Sequence, residues 1–473
     1  MSLSPFKQQI HQQFGFDFTR DQSKTVDLLE RFLKDKTPFG TFLLSGYAGT
    51  GKTSLLGAFI RTLAHYKLST TLLAPTGKAA KVLSSKSNRR AFTIHKLIYR
   101  RKNKTDDFST IQLAPNLQKN TIFIVDEASM IGDYTVVDGN VNQRNLLEDL
   151  LEYVFSGVNC KLILLGDVGQ LPPVGTTFSP ALNKEYLENN YPRLILYASK
   201  LNEVLRQQED SDILSNATKL RKLKNKFPKI ASKKNGDITL INGVELQDYL
   251  ENSFSNYGTE DTIVITRSNK RCNEYNKQIR ARVFWYEEQL CNGDSLMVVK
   301  NNYHWLKEEP EMGFVANGET MIVKRVRKLE FMYGFEFAQL SVIFPDYEHL
   351  GEQDVIVHIE SLNAEGASLS RNRLKELFFE VEKDYSYELN KKKRYELILA
   401  NPYFNALQVK YAYAITCHKS QGGQWEQVFI DVGYLPEDLD KDEYNRWLYT
   451  AITRAKSKVF LVNFPEEQLA KRS

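Results

Sequence analysis

Gly46-Tyr47-Ala48-Gly49-Thr50-Gly51-Lys52-Thr53 is the stretch on which the reading of this chain turns. Two glycines five apart, then Lys and a hydroxyl residue, form the pattern of a phosphate-cradling loop. Eight positions alone would also suit an ordinary glycine turn, so the flanks decide. The apolar run Thr41 to Ser45 comes before it with the length of a buried strand. Leu56, Phe59, Ile60 and Leu63 follow at helical spacing. Between strand and helix, glycines let successive N–H groups turn inward beneath a helix N-terminus. Gly46, Ala48, Gly49, Thr50, Gly51 and Ser54 would line such a cradle. Lys52 would reach the β and γ phosphates, and the Thr53 hydroxyl would take a place on Mg²⁺.

Three more strand ends carry polar residues of the matching kind. Thr121 to Val125 is apolar and finishes in Asp126-Glu127, acids that are costly to place after a core strand without a purpose. Beside a phosphate loop, Asp126 would hold the metal and Glu127 would polarise the attacking water. Lys161 to Leu165 leads to Gly166-Asp167-Val168-Gly169-Gln170, where Gln170 could sense the γ phosphate. Thr70 to Ala74 runs into Pro75-Thr76-Gly77-Lys78, either a turn with an exposed Lys or a grip on nucleic-acid phosphate. Gln22 opens an amphipathic segment with Val26, Leu29 and Phe32, and its amide could read the edge of an adenine.

The chain has 473 residues, enough for two to four domains, with 42% hydrophobic and 26% charged residues. It contains no run of 18 apolar residues and no hydrophobic signal region, which leads to the expectation of a cytoplasmic protein without membrane contact. Its four cysteines have no zinc-ligand spacing. The formal net charge of +5 suits nucleic acid without demanding it. Lys219 to Lys234 is acid-free and basic, as readable as a solvated surface as a DNA contact.

With these stretches in order, the chain resembles a superfamily 1B DNA helicase of the RecD, Dda and Pif type. The likeness continues through Leu205-Arg206-Gln207, Phe314 to Glu319, Tyr413 to Gly422 and Tyr449 to Ala455. It implies an α/β fold of two RecA-like P-loop domains, with ATP and Mg²⁺ in the cleft between them. Residues 1–197 would form the first domain, with a small pin or wedge insertion near 84–119. Residues 198–285 and 405–473 would form the second, split around an SH3-like barrel with a helical segment at 286–404. The resemblance makes Arg206 and Arg454 the cations that reach the γ phosphate. It makes Thr76, Lys78, Thr93 and His95 DNA contacts, with Pro75 in the same loop and Phe108 on the wedge. From the second domain it adds Thr416, His418, Lys419, Ser420 and Gln421. The implied activity is ATP-driven 5′-to-3′ movement of a monomer on single-stranded DNA, opening duplex junctions. Two other readings remain at this point: a binding module that has lost turnover, and an RNA helicase or a translocase that separates no strands.

Overall fold

The computed structural model describes residues 4–101, 111–133, 145–203, 211–307, 309 and 312–470. α1 (Pro5–Phe14) and α2 (Arg20–Lys34) lead into β1 (Gly40–Gly46), α3 (Lys52–His65), β2 (Ser69–Ala74) and α4 (Gly77–Ser87). There follow β3 (Ala91–Thr93), α5 (Ile94–Ile98), β4 (Tyr99–Arg101), β5 (Ile111–Leu113) and β6 (Thr121–Val125). α6 (Leu146–Ser156), β7 (Lys161–Gly166), α7 (Lys184–Asn190) and β8 (Ile195–Leu201) complete this half. Its sheet runs β3-β2-β6-β7-β1-β8, every pair parallel. Alternate residues of one strand serve opposite layers, as a pleat requires. Ile122 and Ile124 face the side covered by α1, α2 and α3, while Phe123 and Val125 face the side of α6.

The second half continues with α8 (Asp212–Leu220), β9 (Ile238–Ile241), α9 (Leu246–Asp261), β10 (Thr262–Thr266) and α10 (Asn269–Arg282). β11 (Ser295–Val298), β12 (Thr320–Met332), β13 (Phe335–Ile343) and β14 (Gln353–His358) are followed by α11 (Ile359–Asn363), α12 (Arg371–Asp384) and α13 (Lys391–Ala400). β15 (Leu407–Tyr411), β16 (Ala414–Thr416), α14 (Cys417–Ser420), β17 (Trp425–Asp431), α15 (Lys441–Ile452) and β18 (Ala455–Val462) end it. The second sheet, β16-β10-β17-β18-β9, is also parallel throughout. β11 to β15 close into a barrel. The expected fold class, two parallel α/β layers with a small closed barrel set into the second, is therefore present.

Element boundaries differ from those drawn on the sequence. β8 extends to Leu201 and pairs with β1 along its length, so the first sheet passes the 197 limit. β3 lies inside the 84–119 segment yet belongs to the main sheet, while β4 and β5 form a separate antiparallel ribbon. The barrel takes its last strand from Leu407–Tyr411, beyond residue 404. The charged segment after Arg371 is two helices, and Leu377, Val381 and Ile398 pack them on Phe335, Phe337 and Ile356 of the barrel.

Barrel and second sheet share one core: Val264, Phe429 and Phe460 lie in the same apolar cluster as Leu296, Val323 and Leu340. A buried ion pair pins the junction. Arg280 of α10 donates through Nε and Nη2 to both Asp294 oxygens at 2.7 and 2.9 Å. The Tyr413 hydroxyl and the Cys291 N–H also donate to that carboxylate, at 2.9 and 2.7 Å. Removing one partner of such a pair leaves a charge without compensation, at about 3–5 kcal/mol. Asp294→Ala should thus lower the unfolding free energy by about that amount in denaturant melts followed by circular dichroism. A loss below about 1 kcal/mol would mean that Arg280 finds water or another acceptor.

Candidate functional site

The carboxyl ends of β1, β6 and β7 bring the three nucleotide motifs together. Gly51, with φ of 76°, turns the chain into α3 in a conformation that most side chains resist, and Gly49 has the same φ. Lys52, at the first position of α3, donates to the Tyr47 carbonyl at 2.8 Å and stands 3.8 Å from Asp167. Thr53 lies half-buried on the same turn, with Ser54 exposed beside it. The Thr50 hydroxyl donates to the Tyr47 carbonyl at 2.8 Å, which closes the loop on itself.

Gln22 is fully buried and differently engaged from its expected role. Its Oε1 accepts the Thr19 N–H at 3.0 Å, a capping box on α2, and its Nε2 donates to the Thr50 carbonyl at 3.1 Å. One end of the amide thus braces the phosphate loop and the other caps its own helix.

Asp126 and Glu127 follow β6. The Glu127 N–H donates to Asp126 Oδ1 at 2.8 Å, and Glu127 has a φ of 53°. Desolvation pushes both acids above the usual carboxylate range. Lys52 opposes the shift of Asp126, and Arg454 of the second domain is the first charge that opposes the shift of Glu127. A carboxylate short of compensating charge, beside the hydroxyl-bearing turn at Thr53, fits the donor set of a hard divalent cation.

Arg454 is buried where α15 ends, its Nε donating to the Thr450 carbonyl at 3.1 Å and its Nη1 to the Gly423 carbonyl at 3.3 Å. Gln170 is buried with Oε1 unpartnered. Arg206 and Phe108 lie outside the described residues.

Three residues of this cleft escaped the sequence reading. Asp167 is 1% exposed; its Oδ1 accepts the Gly169 N–H at 2.8 Å and its Oδ2 the Tyr449 hydroxyl at 2.6 Å. It ends an apolar strand just as Asp126 does, a signal available in the sequence. The Tyr449 hydroxyl also accepts the Ala48 N–H at 2.8 Å, linking the two halves of the chain through the phosphate loop. Arg221, from the basic run, lies 4.0 Å above the Tyr47 ring, with Lys200 at 4.9 Å. The remaining described lysines of that run are mostly exposed.

On the other face, Thr76 caps α4 and Thr93 caps α5, their hydroxyls accepting the Ala79 and Lys96 N–H groups. Pro75 and Thr76 are half-buried. Lys78 places its ammonium 3.8 Å from the Trp425 ring, and burial lowers it to about 8. It therefore touches the second domain, not an open groove. His95 packs on Tyr99 at 5.4 Å, and burial pulls its pKa down, as it does for His418 and Lys419. Thr416 precedes α14 with no side-chain cap bond. Ser420 is fully buried and donates to the Cys417 carbonyl at 2.7 Å, which removes it from any surface. Gln421 is also buried, its Nε2 donating to the Leu171 carbonyl at 2.8 Å across the domains. Those two expected DNA contacts are internal here because α14 packs under α15 and against the loop after β7. Glu319 closes the Phe314–Glu319 stretch. It presses on Gly77, where a Cβ would stand 1.9 Å from Glu319 Oε1, and burial raises its carboxyl to about 8.

Comparison with known proteins supplies independent findings. A model described as an AAA domain matches residues 25–242, and one described as a UvrD-like helicase C-terminal domain matches residues 411–462. The ATP-dependent DNA helicase dda of Enterobacteria phage T4 is 25% identical over 471 residues, covering 94% of this chain and 99% of that protein. The ATP-dependent RecD2 DNA helicase of Deinococcus radiodurans is 35% identical over 132 residues, 28% of this chain and 16% of its own length. A crystal structure of Pif1 helicase from Bacteroides in complex with ADP-AlF3 and ssDNA aligns over 97% of this chain and 95% of its own, at 14% identity and a TM-score of 0.48. Among the described residues, no helix is long and apolar enough to cross a membrane.

Because desolvation raises Asp126, ionising it disfavours the folded state. Stability should fall as pH rises from the ordinary carboxylate range through the raised value. Asp126→Asn should flatten that slope and raise the thermal midpoint of the free protein by roughly 2–4 °C near neutral pH. Scanning calorimetry between about pH 4 and 8 measures it, and an unchanged or lower midpoint would show that Asp126 is well compensated without metal.

Proposed function

We infer that this chain belongs to the superfamily 1B helicases and works as an ATP-dependent DNA helicase, moving 5′ to 3′ along single-stranded DNA and opening the duplex ahead. The observation that carries the reading is the meeting of two parallel-sheet domains at one phosphate loop, where second-domain residues touch the nucleotide motifs directly. A UvrD-like helicase C-terminal match at residues 411–462, and a helicase relative aligned along nearly the whole chain, support it.

In this reading Lys52 and the loop amides hold the β and γ phosphates. Thr53 and Asp126 are the pair that would hold Mg²⁺, which neutralises phosphate oxygens when bound. Glu127 takes a proton from the attacking water; its raised pKa makes it a better base than an exposed carboxylate. Arg454, with Arg206, supplies positive charge to the transferring phosphoryl from the second domain. Gln170, whose buried Oε1 has no partner, would orient the water.

On the nucleic-acid face, Pro75, Thr76, Lys78, Thr93 and His95 form one grip, and Thr416, His418 and Lys419 the other. In the described structure Lys78 rests on Trp425, so the first grip touches the second domain. A single strand entering between them would draw Lys78 onto a phosphate, and such contacts carry little base preference. The antiparallel β4-β5 ribbon, separate from the main sheet, would serve as the wedge that keeps separated strands apart. We take the protein to act as a monomer inside the cell, on single strands and duplex junctions.

Lys52→Ala should abolish nucleotide hydrolysis while leaving single-strand affinity within about threefold, as filter binding and a coupled assay would measure. A forked duplex with a 5′ tail should open and one with only a 3′ tail should not. Opening from the 3′ tail would reverse the polarity, and hydrolysis indifferent to DNA would remove the motor.

A further inference from the structure

Tyr449 has no part in the chemistry above, yet its hydroxyl touches the phosphate site at two points. It lies in α15 and is 1% exposed. Its hydroxyl donates to Asp167 Oδ2 at 2.6 Å and accepts the Ala48 N–H at 2.8 Å, so both roles of a phenol are filled. Both partners belong to the phosphate site. Ala48 is within the loop itself, and Asp167 is the acid nearest the Lys52 ammonium, at 3.8 Å. The next residue, Thr450, ties the same helix to the first domain, its hydroxyl accepting the Leu171 N–H at 2.8 Å. The Thr450 carbonyl in turn holds Arg454 Nε. One helix therefore joins the acid beside Lys52 to the arginine assigned to the γ phosphate.

We propose that Tyr449 is a positioning residue through which the second domain reads whether the phosphate loop is filled. The inference rests on the nucleotide site proposed above. Lys52 donates to the Tyr47 carbonyl and stands 3.8 Å from the Asp167 carboxylate. A polyphosphate recruits Lys52, because a charged acceptor makes the stronger bond. Asp167, 1% exposed, then loses its nearby cation and depends on the remaining donors, Tyr449 and the Gly169 amide. The Tyr449 bond strengthens just when closure is needed, holding α15, and Arg454 with it, against the filled loop. The phenol stays protonated throughout, since burial and Asp167 hold it well above its ordinary range.

Tyr449→Phe deletes the one oxygen and keeps the ring. With fluorescent ADP as probe, its nucleotide affinity should stay within about threefold of the wild type. Its single-strand-stimulated kcat should fall at least about tenfold, and a non-hydrolysable ATP analogue should no longer change its affinity for a single strand. A packing role alone would shift thermal stability and nucleotide affinity together and leave the analogue's effect on DNA intact. Stimulated kcat and coupling equal to wild type, or affinity and kcat falling in parallel, overturn the proposal. Should Tyr449→Phe not fold, Asp167→Asn decides from the other side of the bond: kcat and coupling must both fall, and retention of either overturns it. Wild-type protein that shows no DNA-stimulated hydrolysis would instead sink the helicase reading, so the two failures are distinguishable.

Discussion

Asp167 is a carboxylate at the end of a buried strand, and the arrangement of the two domains depends on how it is satisfied. Water cannot reach it, so each lone pair must find a donor within the protein. The Gly169 amide and the Lys52 ammonium come from the first domain, and the Tyr449 hydroxyl comes from the second. A first domain alone would leave one oxygen facing the cleft with a single distant cation. The second domain thus completes an electrostatic set that the first begins, and the phosphate loop lies inside that set because Ala48 shares the same hydroxyl.

The second domain can act as one body because its barrel is not a loosely tethered insert. β15 of the barrel runs on into β16 of the parallel sheet, and one apolar cluster fills both. Arg280 and Asp294, buried at the seam, add directional bonds to that non-directional core. The barrel also reaches the first domain, where Lys81 meets Asp346 at 3.0 Å and donates to the Pro345 carbonyl at 2.7 Å. α4, which carries Thr76 and Lys78, is therefore touched by the barrel and by Trp425 of the second sheet. A shift of the second domain has physical routes to that helix, through packed side chains with partners to exchange.

Side chains whose chemistry is set by local backbone were legible from sequence. The glycines of the loop, Lys52 at a helix start, and Asp126-Glu127 after an apolar strand take their places from their immediate neighbours. Residues whose partner lies on the far side of the molecule were not. Gln22 read as a base contact, yet its amide is divided between its own cap and Thr50. Ser420 and Gln421 read as DNA contacts, yet the first is sealed under α15 and the second bonds Leu171. Arg221 was one of many cations in a basic run, and only folding singled it out by setting it over Tyr47.

By itself, the order of apolar runs and their polar ends determined the phosphate loop between strand and helix, because that depends on periodicity and short-range geometry, whereas the two parallel sheets and the intervening barrel were implied by the resemblance that the motifs carry together. A domain limit drawn at 197 falls inside a strand, since β8 runs to Leu201 and pairs with β1 along its length. Only the tertiary structure decided which charges meet across the cleft. Asp167 and Tyr449 stand 282 positions apart, and no local pattern encodes a bond across that separation. The hydroxyl finds the carboxylate because the packing of the two sheets buries both groups at one seam.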